Sequence, residues 1–173
     1  RQVCEVAQSV LHRHLADCSV DSAPLTDGGE GFCEILTNSA RGRFEEVEVR
    51  GPLGVLTTVV LGFVQTEKLS PRTRKIGDLP ASGEIAVMEM AAASGLHLLS
   101  EKKRDARETT THGVGDMMIR AIEKGVDAVL LGIGGSATND LGLGTLQVLG
   151  LRFLDASGRA MESLKPSLWN RLA

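Results

Sequence analysis

The stretch that decides the fold is Val126–Leu149, VDAVLLGIGGSATNDLGLGTLQVL. Its apolar start, from Val126 to Ile133, predicts a strand buried on both faces, as in a parallel sheet. The glycines and small polar residues that follow predict a tight loop, and the remainder predicts a helix that runs to Leu149. Ligands of α/β folds bind at the carboxyl ends of parallel strands. We therefore expect an α/β fold with a binding loop over Gly134 to Asp140.

The segments before this unit fit the same layering of helices and strands. Alternating residues around a turn at Gly51–Gly54 predict a β-hairpin, which adds an antiparallel part to a mostly parallel sheet with flanking helices. The last helix before the loop is expected over 112–124, with Thr111 and Gly125 as its capping residues. The predicted elements are helices at 3–15, 32–39 and 112–124, strands near 47–49, at 55–64 and at 85–90, and a loop over 67–83.

Composition bounds the possible functions. With 173 residues, 42% of them hydrophobic, the chain holds one domain or one and part of a second, and a disordered chain is excluded. The apolar runs are too short to span a membrane, and a net charge of −3 does not favour nucleic-acid binding. Three irregularly spaced cysteines indicate reduced thiols in the cytoplasm. A soft boundary in the polar loop divides the chain into 1–75 and 76–173.

The glycine-rich loop has the chemistry of a phosphate cradle. Gly134 and Gly135 allow an anion to approach the backbone, and a following helix would direct its N–H groups at the loop. The expected side-chain donors are Ser136, Thr138 and Asn139. The loop is neither a Walker A motif nor a regular GxGxxG motif, so a plain strand-to-helix turn stays an alternative. Asp140 is either a general base or magnesium ligand, or an acid in the first helical turn.

A second candidate is the segment Asp27–Gly31, DGGEG. Its carboxylates, Asp27 and Glu30, stand three positions apart on a pliable backbone. They can hold Mg²⁺ or accept hydrogen bonds from substrate hydroxyls. The alternative is a turn in which one of them caps the next helix.

Two further segments carry hydroxyl groups. Ser94 follows three alanines at the end of a strand, where small residues leave room for a ligand or for close packing. Thr109–Thr111 precede a helix and could bind an anion, although capping is the usual explanation. His112 is a candidate acid–base group or a capping residue.

Together, four segments resemble the bacterial glycerate kinase family (type I) in order and spacing over nearly the whole chain. They are 27–31, 49–54, 89–96 and 132–140. The resemblance implies two α/β domains, one of them flavodoxin- or Rossmann-like, with the active site in the cleft between them. It also implies that the chain is an N-terminal portion, without the family's first strand and C-terminal half.

The resemblance further implies an activity that needs ATP and Mg²⁺ and phosphorylates D-glycerate, with 2-phosphoglycerate the favoured product. Asp27 and Asp140 would act as base or metal ligand, with Glu30 as a second magnesium ligand. The other implied binding residues are Gly28, Gly29, Ser94, Thr110, Thr111, Gly134, Gly135, Ser136, Ala137, Thr138 and Asn139. A homodimer stays open, as does a non-catalytic module that binds nucleotides or phosphometabolites.

Two positions depart from the family pattern. Leu141 stands where the family usually has a glycine after Asn-Asp, which removes one flexible position. His112 stands where the family usually has tyrosine, so that an imidazole replaces a phenolic hydroxyl. If this side chain touches substrate, the affinity differs from that of the family.

Overall fold

The computed structural model describes residues 2–15 and 17–172 of the protein. Helices and strands are interspersed along the chain. The helices are α1 (Gln2–His14), α2 (Phe32–Ser39), α3 (Pro71–Ile76), α4 (Met90–Ser94), α5 (His112–Glu123) and α6 (Leu143–Val148). The strands are β1 (Arg43–Arg50), β2 (Leu56–Gln65), β3 (Glu84–Glu89) and β4 (Ala128–Gly132). The α/β class is thus confirmed.

The four strands form one mixed sheet in the order β1-β2-β3-β4. β1 and β2 form the predicted hairpin, whose turn is closed by the N–H of Gly54 donating to the carbonyl of Gly51 at 2.9 Å. β2 and β3 are also antiparallel, and β3 and β4 are parallel, with Glu89 opposite Gly132. Within residues 2–15 and 17–172, the parallel arrangement is therefore confined to the β3–β4 end of the sheet. At that end of the sheet, the carboxyl ends of β3 and β4 lie side by side.

Helices cover both faces of the sheet because the buried strand residues alternate. Phe63 and Met88 point to one face, where they pack with Met117 of α5. Ile85 and Val87 point to the other face, where α2 covers them. Removing an apolar side chain of this size from water contributes about 1.5–3 kcal/mol, so the two layers fix the sheet between α2 and α5.

The polar segment predicted as a loop over 67–83 contains a short helix. The hydroxyl of Ser70 accepts the N–H of Thr73 at 3.0 Å and caps α3, and Pro71 occupies its first turn. The prediction of a continuous loop is therefore wrong. β2 and β3 pair across the predicted domain boundary at 75/76, and the division into two domains stays a prediction.

Helix α1 confirms the predicted amphipathic helix, but its apolar face is exposed. Val3 and Val6 are 81% and 62% exposed. Among the described residues, no helix combines the length and apolar character that crossing a membrane requires.

Candidate functional site

Two glycine-rich segments meet beside the carboxyl ends of β3 and β4. The N–H of Gly134 donates to the carbonyl of Gly28 at 2.8 Å. A Cβ atom at Gly134 would lie 2.7 Å from the Cα of Gly29, and one at Gly132 would lie 2.6 Å from the carbonyl oxygen of Gly28. Side chains do not fit between these backbones, so glycine is required by the close approach. The structure thus brings together two motifs that lie about a hundred residues apart in sequence.

The same loop is joined to the other two hydroxyl-bearing segments. The N–H of Leu96 donates to the carbonyl of Gly135 at 3.0 Å, and the N–H of Ala137 donates to that of Ser94 at 2.8 Å. The hydroxyl of Thr109 donates to the carbonyl of Ala137 at 2.9 Å. The predicted site segments therefore converge on one loop.

The helix after the loop begins later than the sequence predicts. The chain stays irregular from 133 to 142, and α6 starts at Leu143, after Gly142 in the left-handed conformation with φ 74°. The N–H groups of Gly144 and Thr145 in the first turn of α6 donate to Asp140 and Thr111, and the phosphate cradle stays a prediction. Any anion at this loop would have to be bound by the loop itself.

Several backbone N–H groups of the loop are already hydrogen-bonded within the protein. Besides the bonds described above, the N–H of Thr138 donates to the hydroxyl oxygen of Ser136 at 3.0 Å. Gly135 and Asn139 face solvent, and within residues 2–15 and 17–172 their N–H groups have no hydrogen-bond acceptor. These two exposed N–H groups are donors that the loop can offer to a ligand.

Asp140 is buried and holds the loop to the start of α5. It is 1% exposed. Its Oδ2 atom accepts the N–H of Thr111 at 2.8 Å, the hydroxyl of Thr111 at 2.9 Å and the N–H of Gly144 at 3.2 Å. Its Oδ1 atom accepts the N–H of Gly142 at 3.1 Å. Hydrogen bonds to an ionised acceptor are strong, so this carboxylate organises the loop.

Thr111 occupies the predicted N-cap position of α5 without making the predicted capping bond. Its hydroxyl donates to Asp140 and accepts the N–H of Thr145 at 3.0 Å. No side-chain bond to the first turn of α5 is formed. The hydroxyl joins α5 to α6 because both of its partners lie in the later segment.

Ser94 is also committed to the protein interior. It is fully buried, and its hydroxyl donates to the carbonyl of Thr110 at 3.2 Å. Thr110, which is 4% exposed, donates its N–H to the carbonyl of Pro52 in the hairpin turn at 3.0 Å. Ser94 therefore positions the threonine segment.

The carboxylates of the first motif face solvent. Asp27 accepts the N–H of Gly29 on its Oδ1 atom at 3.0 Å, so that it stabilises the turn of its own motif. Asp27 and Glu30 are both exposed. Glu30 also lines a groove of about 1060 Å³ that reaches the end of β3 and the open face of β1 and β2. Both carboxylates are open to a ligand.

Glu89 is a functional candidate that sequence reasoning did not select. It is the last residue of β3, and its carboxylate accepts the N–H of Cys33 at 3.0 Å and that of Gly31 at 3.4 Å. It caps α2 from a neighbouring strand and fixes the end of the Asp27–Gly31 motif. The sequence signal that could have identified Glu89 is a single acidic residue at the end of an apolar strand.

Cys33 lies under this cap as an unreactive thiol. Burial raises its pKa to about 11, and the nearby charge of Glu89 adds to the rise. Its thiol donates to the carbonyl of Val87 at 3.1 Å. Because the reactive form is the thiolate, Cys33 is not suited to nucleophilic catalysis.

An ion pair fixes the hairpin beside the threonine segment. Arg50 donates from Nε to the Oδ2 atom of Asp116 on α5 at 2.8 Å, and its second nitrogen bonds the other oxygen. Burial alone would raise the pKa of Asp116, but the hydrogen bonds and charge of Arg50 lower it below its usual value. The pair therefore joins β1 to α5 as a charged, bidentate contact.

Comparisons with known proteins identify the family. The family model described as "Glycerate kinase family" matches residues 1–171. The chain is 39% identical to the glycerate 2-kinase of Escherichia coli K12 over 89% of the chain. It is 44% identical to the glycerate kinase of Bacillus subtilis 168 over 78% of the chain. The chain belongs to the glycerate kinase family.

A solved structure supports the same relation. The crystal structure of a protein assigned as glycerate kinase 2 from Salmonella typhimurium LT2 superimposes with a TM-score of 0.67 at 37% identity, and the match covers 91% of this chain. The chain spans 38% of that protein, 37% of the E. coli relative and 31% of the B. subtilis relative. The resemblance stated from the four sequence motifs is thus confirmed.

Proposed function

We propose that this chain provides substrate-binding and phosphate-binding segments of a glycerate kinase. The reaction transfers the γ-phosphoryl group of ATP to a hydroxyl of D-glycerate. The observation that carries the proposal is the convergence of the Asp27–Gly31, Ser94 and threonine segments on the loop 132–140, in a chain of this family. Phosphoryl transfer depends chiefly on positioning and on neutralising charge, which converging loops can supply.

The 2-hydroxyl is the proposed acceptor, with 2-phosphoglycerate as the product. Support comes from the E. coli relative, which is described as a glycerate 2-kinase and is 39% identical to this chain. Phosphorus NMR of the product distinguishes 2-phosphoglycerate from 3-phosphoglycerate.

The two candidate catalytic carboxylates take different roles in this proposal. Asp27 is exposed and has one oxygen that is not used by its turn, so it is placed to accept the proton of the attacking hydroxyl. Asp140 is buried and accepts hydrogen bonds on both oxygens, so it shapes the loop. We assign contact with phosphate oxygens to the exposed N–H groups of Gly135 and Asn139.

Mg²⁺ fits the carboxylates of the first motif. Among the described residues, no group of three or more His, Cys, Asp or Glu side chains could hold a metal ion. Mg²⁺ usually binds through one or two carboxylates, with water and substrate phosphates as its other ligands. Asp27 and Glu30 are both exposed; Glu30 would hold the ion directly and Asp27 through a bound water, because the free oxygen of Asp27 takes the proton. The ion would neutralise charge on the phosphates.

We also propose that the protein is cytoplasmic. Its proposed partners are small molecules, D-glycerate and a nucleotide. The free cysteines Cys4, Cys18 and Cys33 are compatible with a reducing compartment. A homodimer stays a prediction, which light scattering tests.

The test is ADP release from ATP and Mg²⁺, measured with and without D-glycerate on the E. coli glycerate 2-kinase in which this chain replaces the matching segment. We expect ADP release that requires D-glycerate and falls at least tenfold in Asp27→Asn, because the amide is a poor proton acceptor. The matched control is Asp21→Asn, which changes an exposed carboxylate outside the site. Binding of ATP or phosphate without any glycerate-dependent release would favour the non-catalytic binding module.

A further inference from the structure

The groove of about 1060 Å³ that Glu30 lines continues from the candidate site to the open face of β1 and β2. Its Glu30 end adjoins the glycine-rich loop, because Gly29 packs against Gly134. One wall is helix α2, where Glu34 and Asn38 stand four positions apart and so share one face, about 6 Å apart along the axis. The groove is large enough for a small molecule bigger than D-glycerate.

The floor of this groove is apolar and carries an open aromatic ring. Phe44 and Val60 line it and are 42% and 40% exposed. Phe44 is paired with Gly62 across the hairpin, so the neighbouring strand places no side chain opposite the ring. An accessible ring of this kind is a platform on which the flat face of a nucleobase stacks. The floor therefore favours a ligand with a flat heterocycle.

The charges of the groove disfavour an anionic ligand. Glu30, Glu46 and Glu89 line it, and no lysine or arginine among residues 2–15 and 17–172 does. An anion there would face these carboxylates without a cation, and like charges brought together are costly. D-glycerate and a bare phosphate chain are therefore unsuited to the groove. The nucleoside portion of ATP is uncharged, and its ribose hydroxyls donate hydrogen bonds that carboxylates accept.

Asn38 gives the groove a means of recognising the base. It is exposed, and within the described part of the chain its side-chain amide has no hydrogen-bond partner. The amide presents a donor beside an acceptor, which matches the N7 acceptor and the N6 donor of adenine. Guanine presents two acceptors at these positions and would leave the amide oxygen without a donor. Asn38 therefore favours adenine.

We propose that this groove binds the adenosine portion of ATP, with adenine stacked on Phe44 and recognised by Asn38. The inference rests on the proposed function and deepens it, because it gives the nucleoside a place apart from the phosphate contacts at Gly135 and Asn139. The phosphates leave the groove at its Glu30 end, beside the glycine-rich loop. D-glycerate is bound outside the groove.

The first experiment titrates adenosine, which carries no phosphate, into the ¹⁵N-labelled chain and follows the backbone signals by NMR. We expect the signals of Asn38, Phe44 and Val60 to shift, and that of Gly135 to stay unchanged. Inorganic phosphate should leave the three groove signals unchanged, because the groove is lined by carboxylates. Adenosine shifts that are absent, or that fall only outside the groove, overturn the inference.

The second experiment changes the platform and the amide separately. Phe44→Leu keeps an apolar side chain but removes the ring, and we expect adenosine binding to weaken at least tenfold. Phe44→Trp is the matched control, which keeps a ring and should bind adenosine at least as tightly as wild type. The wild type should prefer adenosine to guanosine about tenfold, and Asn38→Leu should abolish this preference. Unchanged binding in Phe44→Leu, or a wild type without the preference, overturns the inference.

The third experiment separates this inference from the proposed function. In the E. coli enzyme that carries this chain, Phe44→Leu should raise KM for ATP about tenfold and leave kcat and KM for D-glycerate unchanged. An active chimera whose KM for ATP does not change overturns the inference alone. An inactive chimera, with adenosine still bound in the groove of the chain, overturns the proposed function and supports a nucleoside site.

The remaining occupant of the groove would be a second copy of the chain. Its presence would shift the signals of Phe44 and Val60 as the protein is concentrated without adenosine. That result would assign the groove to a dimer interface and overturn the inference. We expect these signals to be independent of protein concentration.

Discussion

Two junctions hold the candidate site together, and they are built in opposite ways. In the glycine junction, formed by 28–29 and 132–134, two backbones touch and leave no room for a Cβ atom. In the threonine junction, formed by 109–111 and 137–145, buried side chains exchange hydrogen bonds around Asp140. Both junctions position the same loop.

The difference determines what each junction tolerates. The glycine junction is sensitive to added volume, because its contacts are between backbone atoms that cannot move aside cheaply. The threonine junction is sensitive to lost polarity, because a buried donor without an acceptor is costly. Substitutions chosen for volume or for polarity should therefore disrupt different junctions.

The largest effect is expected for Asp140→Ala in the threonine junction. The change leaves the N–H and hydroxyl of Thr111 and the N–H of Gly144 without their acceptor. We expect a loss of roughly 3–5 kcal/mol in the free energy of unfolding, measured by urea denaturation. Asp21→Ala, at an exposed carboxylate, should stay within about 0.5 kcal/mol. A loss below about 1 kcal/mol for Asp140→Ala would show that the junction does not depend on this carboxylate.

The next effect is expected for Gly134→Ala in the glycine junction. The new Cβ atom would lie 2.7 Å from the Cα and 2.8 Å from the N of Gly29, so a backbone must shift. We expect a loss of about 1–3 kcal/mol in the free energy of unfolding, since overpacking costs this much. The control is Gly77→Ala, where the nearest atom belongs to the side chain of Leu79. Equal losses in the two variants would contradict the proposed constraint.

A smaller effect tests the ion pair beside the threonine junction. Because the folded-state pKa of Asp116 is below its ordinary value of 3.8, its contribution to stability is fully present above that pH and is lost as the pH falls below it. Asp116→Asn should cost about 1 kcal/mol at pH 7, because the pair with Arg50 is partly exposed. The difference between wild type and variant should shrink below pH 3.8. A difference that grows in acid would contradict the assignment.

The smallest expected effect concerns the chemical labelling of Cys33, which lies outside both junctions. Since its pKa is raised to about 11, little thiolate is present at pH 8. A thiol-reactive dye should label Cys4 and Cys18, which are half-buried, and should label Cys33 only after unfolding. Fast labelling of three thiols in the folded chain would show that Cys33 is more accessible than the structure indicates.

Local patterns predicted several elements well. The bounds of α2 and the turn at Gly51–Gly54 follow from helical spacing and from the turn preferences of proline and glycine. Strands β3 and β4 follow from uninterrupted apolar runs, but β4 stands last in the described sheet and is only half-buried over 128–131, not buried on both faces as predicted. Convergence of the motifs was also predictable, because the ends of parallel strands share one edge of a sheet.

The other features of the fold and the site depend on contacts between distant residues, which no local sequence pattern reveals. The helix after the loop starts at Leu143 because Asp140 holds the chain to Thr111 and Gly142 turns with positive φ. The signals for α3, Ser70 and Pro71, were present but were outweighed by the polar composition around them. The cap that Glu89 gives to α2 joins residues 56 positions apart, which sequence spacing does not reveal.

The central claim is that the joined loops form a glycerate kinase site, and a chimera tests it most directly. This chain would replace the matching segment, 37% of the length, of the E. coli glycerate 2-kinase. We expect D-glycerate-dependent ADP release from the chimera, and its loss when Gly134→Ala is introduced with Gly77→Ala as the control. A folded chimera that binds ATP but releases no ADP with D-glycerate would contradict the account.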